Sequence, residues 1–422
     1  MDYGGHHVFV KHPCEAGHGR AAVFDEAFMA DPYPTYERLR AAGPLHWFEG
    51  FRDGAWLVPR HADVMAGFHD PLLSSQRGGT WTAALPPEAR HEFVEFNRIF
   101  NLWMLLQDDP QHARLRTLVN RRFTPHVVRE LRPRIEHTVD RLLDGVAGSG
   151  TFDFMADFAR ILPVRVIAEL LGVPEHDHRK FEAWTRDFEI FFGSARATIE
   201  QVRAARDGIF AMHDYFRALL PQRRGNPGGD LVSLLVRNDA GHDALTEDEV
   251  LAQCSMLFMT GHETVQNLLC NGLLALLQHP EQCARMRSEP SLLPSAVREC
   301  VRYNSPVQIA TRRVAEDHDW HGKPLCKGQT ILLLLGSANR DAAHFENPDA
   351  LDVARNQGAP LSFGHGAHFC LGQALGSLEV EIAFGALFRR FPDLRLESAE
   401  HDWTPSPVLR GLKALPISLT AG

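Results

Sequence analysis

Two short stretches hold residues whose types and spacing could do proton-transfer or redox chemistry. The first, MLFMTGHETVQNLL over residues 256–269, reads as the middle of a buried helix, yet it carries Thr260, Gly261, His262, Glu263 and Thr264 in one block. Glycine costs a helix interior about 1 kcal/mol, and an ionisable Glu among Met, Leu and Phe is costlier unless it has partners or a task. An acid beside an alcohol is a pair that can pass protons. The second stretch, LSFGHGAHFCLGQALGSLEVEI from Leu361, sets glycines and histidines around Cys370. Leu371, Leu375, Leu378 and Ile382 follow at spacings of 4, 3 and 4, one apolar helix face. Cys370 therefore falls at or just before a helix N-terminus, the dipole end that favours an anion and lowers a thiol's pKa. Gly364, Gly366 and Gly372 allow tight turns that bring N–H groups near the sulfur. This is an environment for a thiolate.

Most of the chain has helical period. A helix starting near Thr246 opens with a Thr246/Glu249 capping box and meets no breaker until Pro280, so it spans roughly 45–50 Å. Such a helix must cross the whole molecule. Strand-like material is confined to AWLVPR from Ala55, DWHGKPLCKGQTILLLL from Asp319 to Leu335, and LKALPISL near the end. The expected class is mainly α with small β-sheets.

The 422 residues, 44% hydrophobic and 23% charged, suffice for a large core, and no linker divides them. One domain over 23–422 is expected, preceded by a tail over 1–22. A net charge of −9 argues against nucleic acid as a general partner. No apolar run is long enough for a signal peptide or a membrane span, so a soluble, cytoplasmic protein is expected. Seven cysteines without a CxxC pair argue against a disulfide framework, a zinc ribbon or attached c-type haem. His12, Cys14 and His18 could hold a metal, but a terminal tail is the simpler reading.

Phe363, Gly366, Cys370 and Gly372 form the spacing FxxGxxxCxG, and with it the sequence resembles the cytochromes P450, haem-thiolate monooxygenases, in their soluble bacterial form. The resemblance implies a cytochrome P-450 fold with a long central helix over the haem. It makes Cys370 the axial ligand of the iron of haem b (iron protoporphyrin IX), where a thiolate pushes electron density toward O–O cleavage. Phe363, Gly364 and Gly372 would adjoin the cofactor. Glu263 and Thr264 match the acid–alcohol pair that delivers two protons to dioxygen, and Gly261 the glycine that leaves room for the gas. Two positions depart from the family pattern: Thr260 stands where Ala or Gly is usual, and Val265 where a second Thr is common. Thr260, one turn before Thr264, offers a second hydroxyl. His262 is expected to face solvent or a loop.

By the same resemblance His112 and Arg116, Arg312, and His368 bind the haem propionates. Glu299 and Arg302 in RECVRY, with Arg355 in NPDALDVAR, make a buried structural ion triad whose loss would strand a charge. Leu351 replaces an aromatic residue, a packing change.

Two aromatic stripes, Phe93, Phe96, Phe100 and Trp103, and Phe181, Trp184, Phe188 and Phe191, suit core and pocket equally. With Val307 and Ile309 they suggest an apolar, aromatic or polycyclic substrate. Nothing resembles a dinucleotide loop or a flavin domain, so electrons from NAD(P)H are expected through an external ferredoxin or flavodoxin and its reductase. Arg114, Arg121 and Arg122 could form the docking patch or simply a solvated face. The implied activity is hydroxylation or another oxidation of an apolar small molecule in secondary metabolism, by a monomer that uses dioxygen. Desaturation, oxidative coupling and peroxide-driven oxidation are alternatives within the class, and a non-catalytic haem sensor is one outside it.

Overall fold

The structure is a computed structural model that describes residues 23–419 apart from 52–53, 80–81, 83–84, 86, 122, 195–196 and 238–243. The expected tail over 1–22, with His12, Cys14 and His18, and the side chain of Arg122 lie outside the described residues. Five strands form the main sheet in the order β1 (His46–Phe48), β2 (Ala55–Val58), β8 (Thr330–Leu334), β5 (Ile309–Val314), β3 (Leu73–Ser74). β2 runs parallel to β8, and β5 antiparallel to it with Arg312 opposite Ile331. Successive strand residues point to opposite faces. Trp56, Val58, Ile331 and Leu333 accordingly enter one apolar cluster, and Ala55, Leu57, Leu332 and Leu334 another. A sheet buried on both faces explains why AWLV and TILLL are unbroken apolar runs. β4 (Thr151–Asp153), β10 (Pro416–Leu419) and β9 (Leu394–Leu396) make a second sheet, and β6 (His318–Trp320) with β7 (Lys323–Leu325) a hairpin.

Helices supply the rest of the frame: α1 (Val94–Leu102), α2 (Gln111–Asn120), α3 (Pro125–Val146), α4 (Ile161–Leu170), α5 (His178–Gly193), α6 (Ile199–Gly225), α7 (Glu247–Gly261), α8 (Glu263–Gln278), α9 (Leu293–Tyr303) and α10 (Gln373–Arg390). α5 and α6 cross closely at Gly208, where an added Cβ would lie 2.5 Å from the carbonyl oxygen of Trp184. At Gly272 of α8 a Cβ would meet Phe384 of α10 at 3.1 Å and Cys300 of α9 at 3.2 Å. These contacts place α8 between the two helices that flank the cysteine loop and the ion triad. Among the described residues no helix is long and apolar enough to cross a membrane.

The capping box at Thr246 and Glu249 is present in both directions, but the helix it starts is not continuous to Pro280. It ends at Gly261 and restarts at Glu263, with His262 between at φ −115° and ψ −49°. The first aromatic stripe is core: Phe93, Phe96, Phe100 and Trp103 are buried in the main helical cluster and do not line the cavity. In the second stripe Phe188 lines the cavity, while Phe181 and Phe191 are buried in the cluster. Cys254, Cys270, Cys283, Cys300 and Cys370 are free; Cys326 is disulfide-bonded, a single bond that the odd count did not announce.

Candidate active site

The break at His262 follows from the side chains around it. In a continuous helix each carbonyl accepts from the N–H four residues on. Over this turn three side chains also reach those carbonyls: Thr260 Oγ1 donates to Met256 O at 2.8 Å, His262 Nδ1 lies 2.8 Å from Phe258 O, and Thr264 Oγ1 is 3.4 Å from Thr260 O. Polar side chains that offer the backbone an alternative partner loosen a helix. The last of the three bonds is long and therefore weak.

Thr260, Gly261, Glu263 and Thr264 all line one cavity. Burial pushes the Glu263 carboxyl well above the usual carboxylate range, and the charge of Glu189 adds to the push. An acid held toward its neutral form thus stands beside a loosely held alcohol. Gly261 has a second reason for its missing side chain, because a Cβ there would lie 3.2 Å from Ile167 of α4. His262, expected to face solvent or a loop, is buried and bound to Glu189 of α5 at 2.7 Å. Sequence alone gave no sign of that partner on a helix 73 positions away.

Cys370 lies on the same cavity, two residues before Gly372, the N-cap of α10. Its N–H donates to Phe363 O at 2.9 Å, closing the loop. Gly364 and Gly366 are left-handed at φ 70° and 69°, as the tight turn requires. The sulfur is open to the cavity but shielded from bulk water, and burial pushes the thiol up. Hydrogen bonds from the backbone of Gly372 and Gln373, together with the Arg116 charge, pull it the other way. Gly372 itself has an ordinary φ of −84°, and no atom of the chain lies within 4 Å of an added Cβ. Neither backbone strain nor packing within the chain asks for glycine there; a flat group seated in the cavity would.

Four of the expected propionate donors, His112, Arg116, Arg312 and His368, line the cavity together, joined by a fifth residue that the sequence did not flag, Arg77. The rings of His112 and His368 stack at 3.9 Å, Arg116 donates to Phe369 O at 2.6 Å, and Arg312 sits over the Phe68 ring. Burial and the charges of His112, Arg312, Arg77 and Arg116 push His368 down to about 3. Asp109, 3.4 Å from His112 Nδ1, and Asp108 offset part of this positive charge. The donors fit a dianionic macrocycle whose metal meets Cys370. Glu379 of α10 also lines the cavity; it is buried, one carboxyl oxygen has no hydrogen-bond partner, and burial pushes it well above the usual range. Its sequence signal was its place on the apolar face, four residues after Leu375 and three before Ile382.

Away from the cavity Glu299 receives Arg302 at 2.7 and 2.8 Å and Arg355 at 3.1 Å. The two guanidinium groups also hold carbonyls of Asn339, Pro348, Ala350, Glu346 and Asn347. The triad thereby pins the segment that leads into the cysteine loop. Leu351, in that segment, is buried. Of the basic residues considered for docking, Arg114 is bound to Glu249 at the start of α7, so its charge is largely offset, and Arg121 is exposed.

An apolar cavity of about 350 Å³ that joins a cysteine at a helix start, a cationic cluster and an acid–alcohol turn defines a haem-thiolate oxidoreductase. Residues 164–407 match the family model Cytochrome P450. The chain is 41% identical over 404 residues to the cytochrome P450 monooxygenase PikC of Streptomyces venezuelae, with 94% of this chain and 92% of that protein covered. Its fold is similar to that of P450BioI in complex with an acyl carrier protein ligated to hexadec-9Z-enoic acid (TM-score 0.85, 36% identity, 93% and 99% of the two chains covered). It is also similar to the bacillaene polyketide synthase cytochrome P450 PksS of Bacillus subtilis 168 (TM-score 0.84, 34% identity, 94% and 99% covered). The chain belongs to the cytochrome P450 family and is a monooxygenase of the haem-iron oxidoreductase class.

Proposed function

We propose that this monooxygenase oxidises an apolar small molecule of secondary metabolism, most simply by hydroxylation, with electrons from a separate ferredoxin or flavodoxin and its NAD(P)H-dependent reductase. The observation that carries the reading is the shared cavity: Cys370, the cationic cluster and the Glu263–Thr264 turn line one space whose remaining wall includes Met104, Leu105, Ile167, Phe188, Val307 and Ile309. Outside the cationic cluster, the charged residues lining it are Glu263 and Glu379, both held toward the neutral form. A charged substrate would find no fixed counter-charge there.

Haem, when bound, supplies dioxygen activation, with Cys370 as the thiolate that tunes it. Arg77, His112, Arg116, Arg312 and His368 would hold its carboxylates. Glu263, held toward its neutral form by burial, is the proton donor, and the Thr264 hydroxyl presents that proton to the cavity. The printed name of PksS, a polyketide synthase cytochrome P450, supports secondary metabolism as the setting.

The test has two steps. The reduced protein with carbon monoxide should give the long-wavelength thiolate band, and Cys370→Ser should abolish it. Apolar ligands should then shift the Soret band, and the best of them should be oxidised with NADPH, surrogate ferredoxin and reductase. A response to small charged ligands alone would defeat the apolar assignment, and turnover with hydrogen peroxide but not with the electron chain would favour peroxide-driven chemistry.

A further inference from the structure

The open turn has a bond that the proton chemistry does not use. His262 is 2% exposed, and both its ring nitrogens are engaged, Nδ1 with the carbonyl of Phe258 at 2.8 Å and Nε2 with Oε1 of Glu189 at 2.7 Å. A carbonyl oxygen can only accept, so Nδ1 carries a hydrogen. Nε2 then meets Glu189 either as a second N–H donor or as the acceptor from a protonated carboxyl. In both cases the pair shares one proton, and in the first the bond is charge-assisted.

The partner's location gives the bond its meaning. Glu189 lies on α5, next to Phe188, which lines the cavity. The end of α5 is tied down by Ser406 Oγ, which donates to Gly193 O at 2.9 Å. Its contact with α7 includes an apolar one, the Phe181–Phe258 ring pair at 4.5 Å. Apolar contacts let one helix slide over another, whereas a buried polar pair fixes one register. His262 is also the residue at which the helix opens, immediately before Glu263. Any movement of α5 against α7 therefore pulls on the residue that sets the turn.

We propose that Glu189 and His262 are positioning residues, a strap through which the seating of α5 over a ligand sets the open turn that presents Glu263 and Thr264. The purpose of the strap rests on the monooxygenase reading; its geometry does not. It makes α5 a sensor of cavity filling, and makes the turn the element that responds.

Amide hydrogen exchange on the haem-loaded protein tests this, comparing wild type, Glu189→Ala and Glu189→Gln with and without 4-phenylimidazole. Without ligand, Glu189→Ala should speed exchange in both residues 185–193 and residues 260–265, by about tenfold. Glu189→Gln, whose amide can donate to the same ring nitrogen, should stay close to wild type. The ligand should slow exchange in both segments of wild type but only in the first segment of Glu189→Ala, while its spectral affinity changes less than about twofold. An unmoved turn in Glu189→Ala, or equal effects of Ala and Gln, overturns the strap. Absence of the carbon monoxide band in wild type would instead overturn the monooxygenase reading, and the ligand-free exchange comparison would still decide the strap.

Discussion

At 3.4 Å the Thr264 hydroxyl holds the carbonyl behind it only loosely, so it can turn into the cavity at little cost. Thr264→Ala should leave the ligand-induced Soret shift intact while product per NADPH falls about tenfold or more and peroxide appears in its place. Unchanged coupling would remove Thr264 from the chemistry. Glu379 makes a different kind of prediction. Because burial raises its pKa, the folded protein binds a proton there that the unfolded chain releases above about pH 4. Stability from this group is therefore full below the unfolded pKa and declines as pH rises toward the folded one. Glu379→Gln, which mimics the neutral acid, should raise the melting temperature at pH 7 by about 2 °C or more. The gain should vanish below about pH 4; a gain independent of pH would contradict the assignment. Cys370, Glu263 and Thr264 were legible in the sequence because local spacing alone brings them out. Arg77 and Glu189 were not, since their significance comes from segments far away in the chain. Glu379 was legible in principle, as a charge on an apolar helix face.

Among the elements, the ion triad shows how a weak local signal becomes firm by assembly. Glu299 and Arg302 share one face of α9, but Arg355 arrives from a loop, and the three are buried together. Glu299→Ala would leave two guanidinium groups without their carboxylate, at a cost of about 3–5 kcal/mol. Urea unfolding of the variant should show that loss together with poor haem retention. A cost below about 1 kcal/mol would mean that the surrounding carbonyls alone satisfy the two arginines. The capping box at Thr246 could be read directly because it depends on four consecutive residues. Continuity beyond it could not, because whether Thr260, His262 and Thr264 bond backward or outward depends on α4 and α5. The short strands β1, β3, β4 and β9 left no period to read, at two or three residues each. β2 and β8 were visible as apolar runs for the opposite reason, burial on both faces.

Across the whole molecule the cavity is where the sheet side and the helical side meet. Ile309 belongs to one sheet cluster and Leu335 to the other, while Leu268 and Leu375 belong to the helical core, and all four line the cavity. Removing a macrocycle from such a place takes contact atoms away from every wall at once. It also restores the mutual repulsion of Arg77, His112, Arg116, Arg312 and His368. A group that binds only the folded chain stabilises it by about 2.7 kcal/mol at a hundredfold excess over its dissociation constant. Haem extraction should therefore lower the melting temperature by about 3 °C or more, measured by calorimetry on matched haem-loaded and haem-free samples. Arg312→Ala should narrow that gap, because one donor to the carboxylates is lost in the loaded form while repulsion is relieved in the free one. Equal melting temperatures for the loaded and free wild-type protein would mean that the cavity is held open by the chain alone and that the cationic cluster has another purpose.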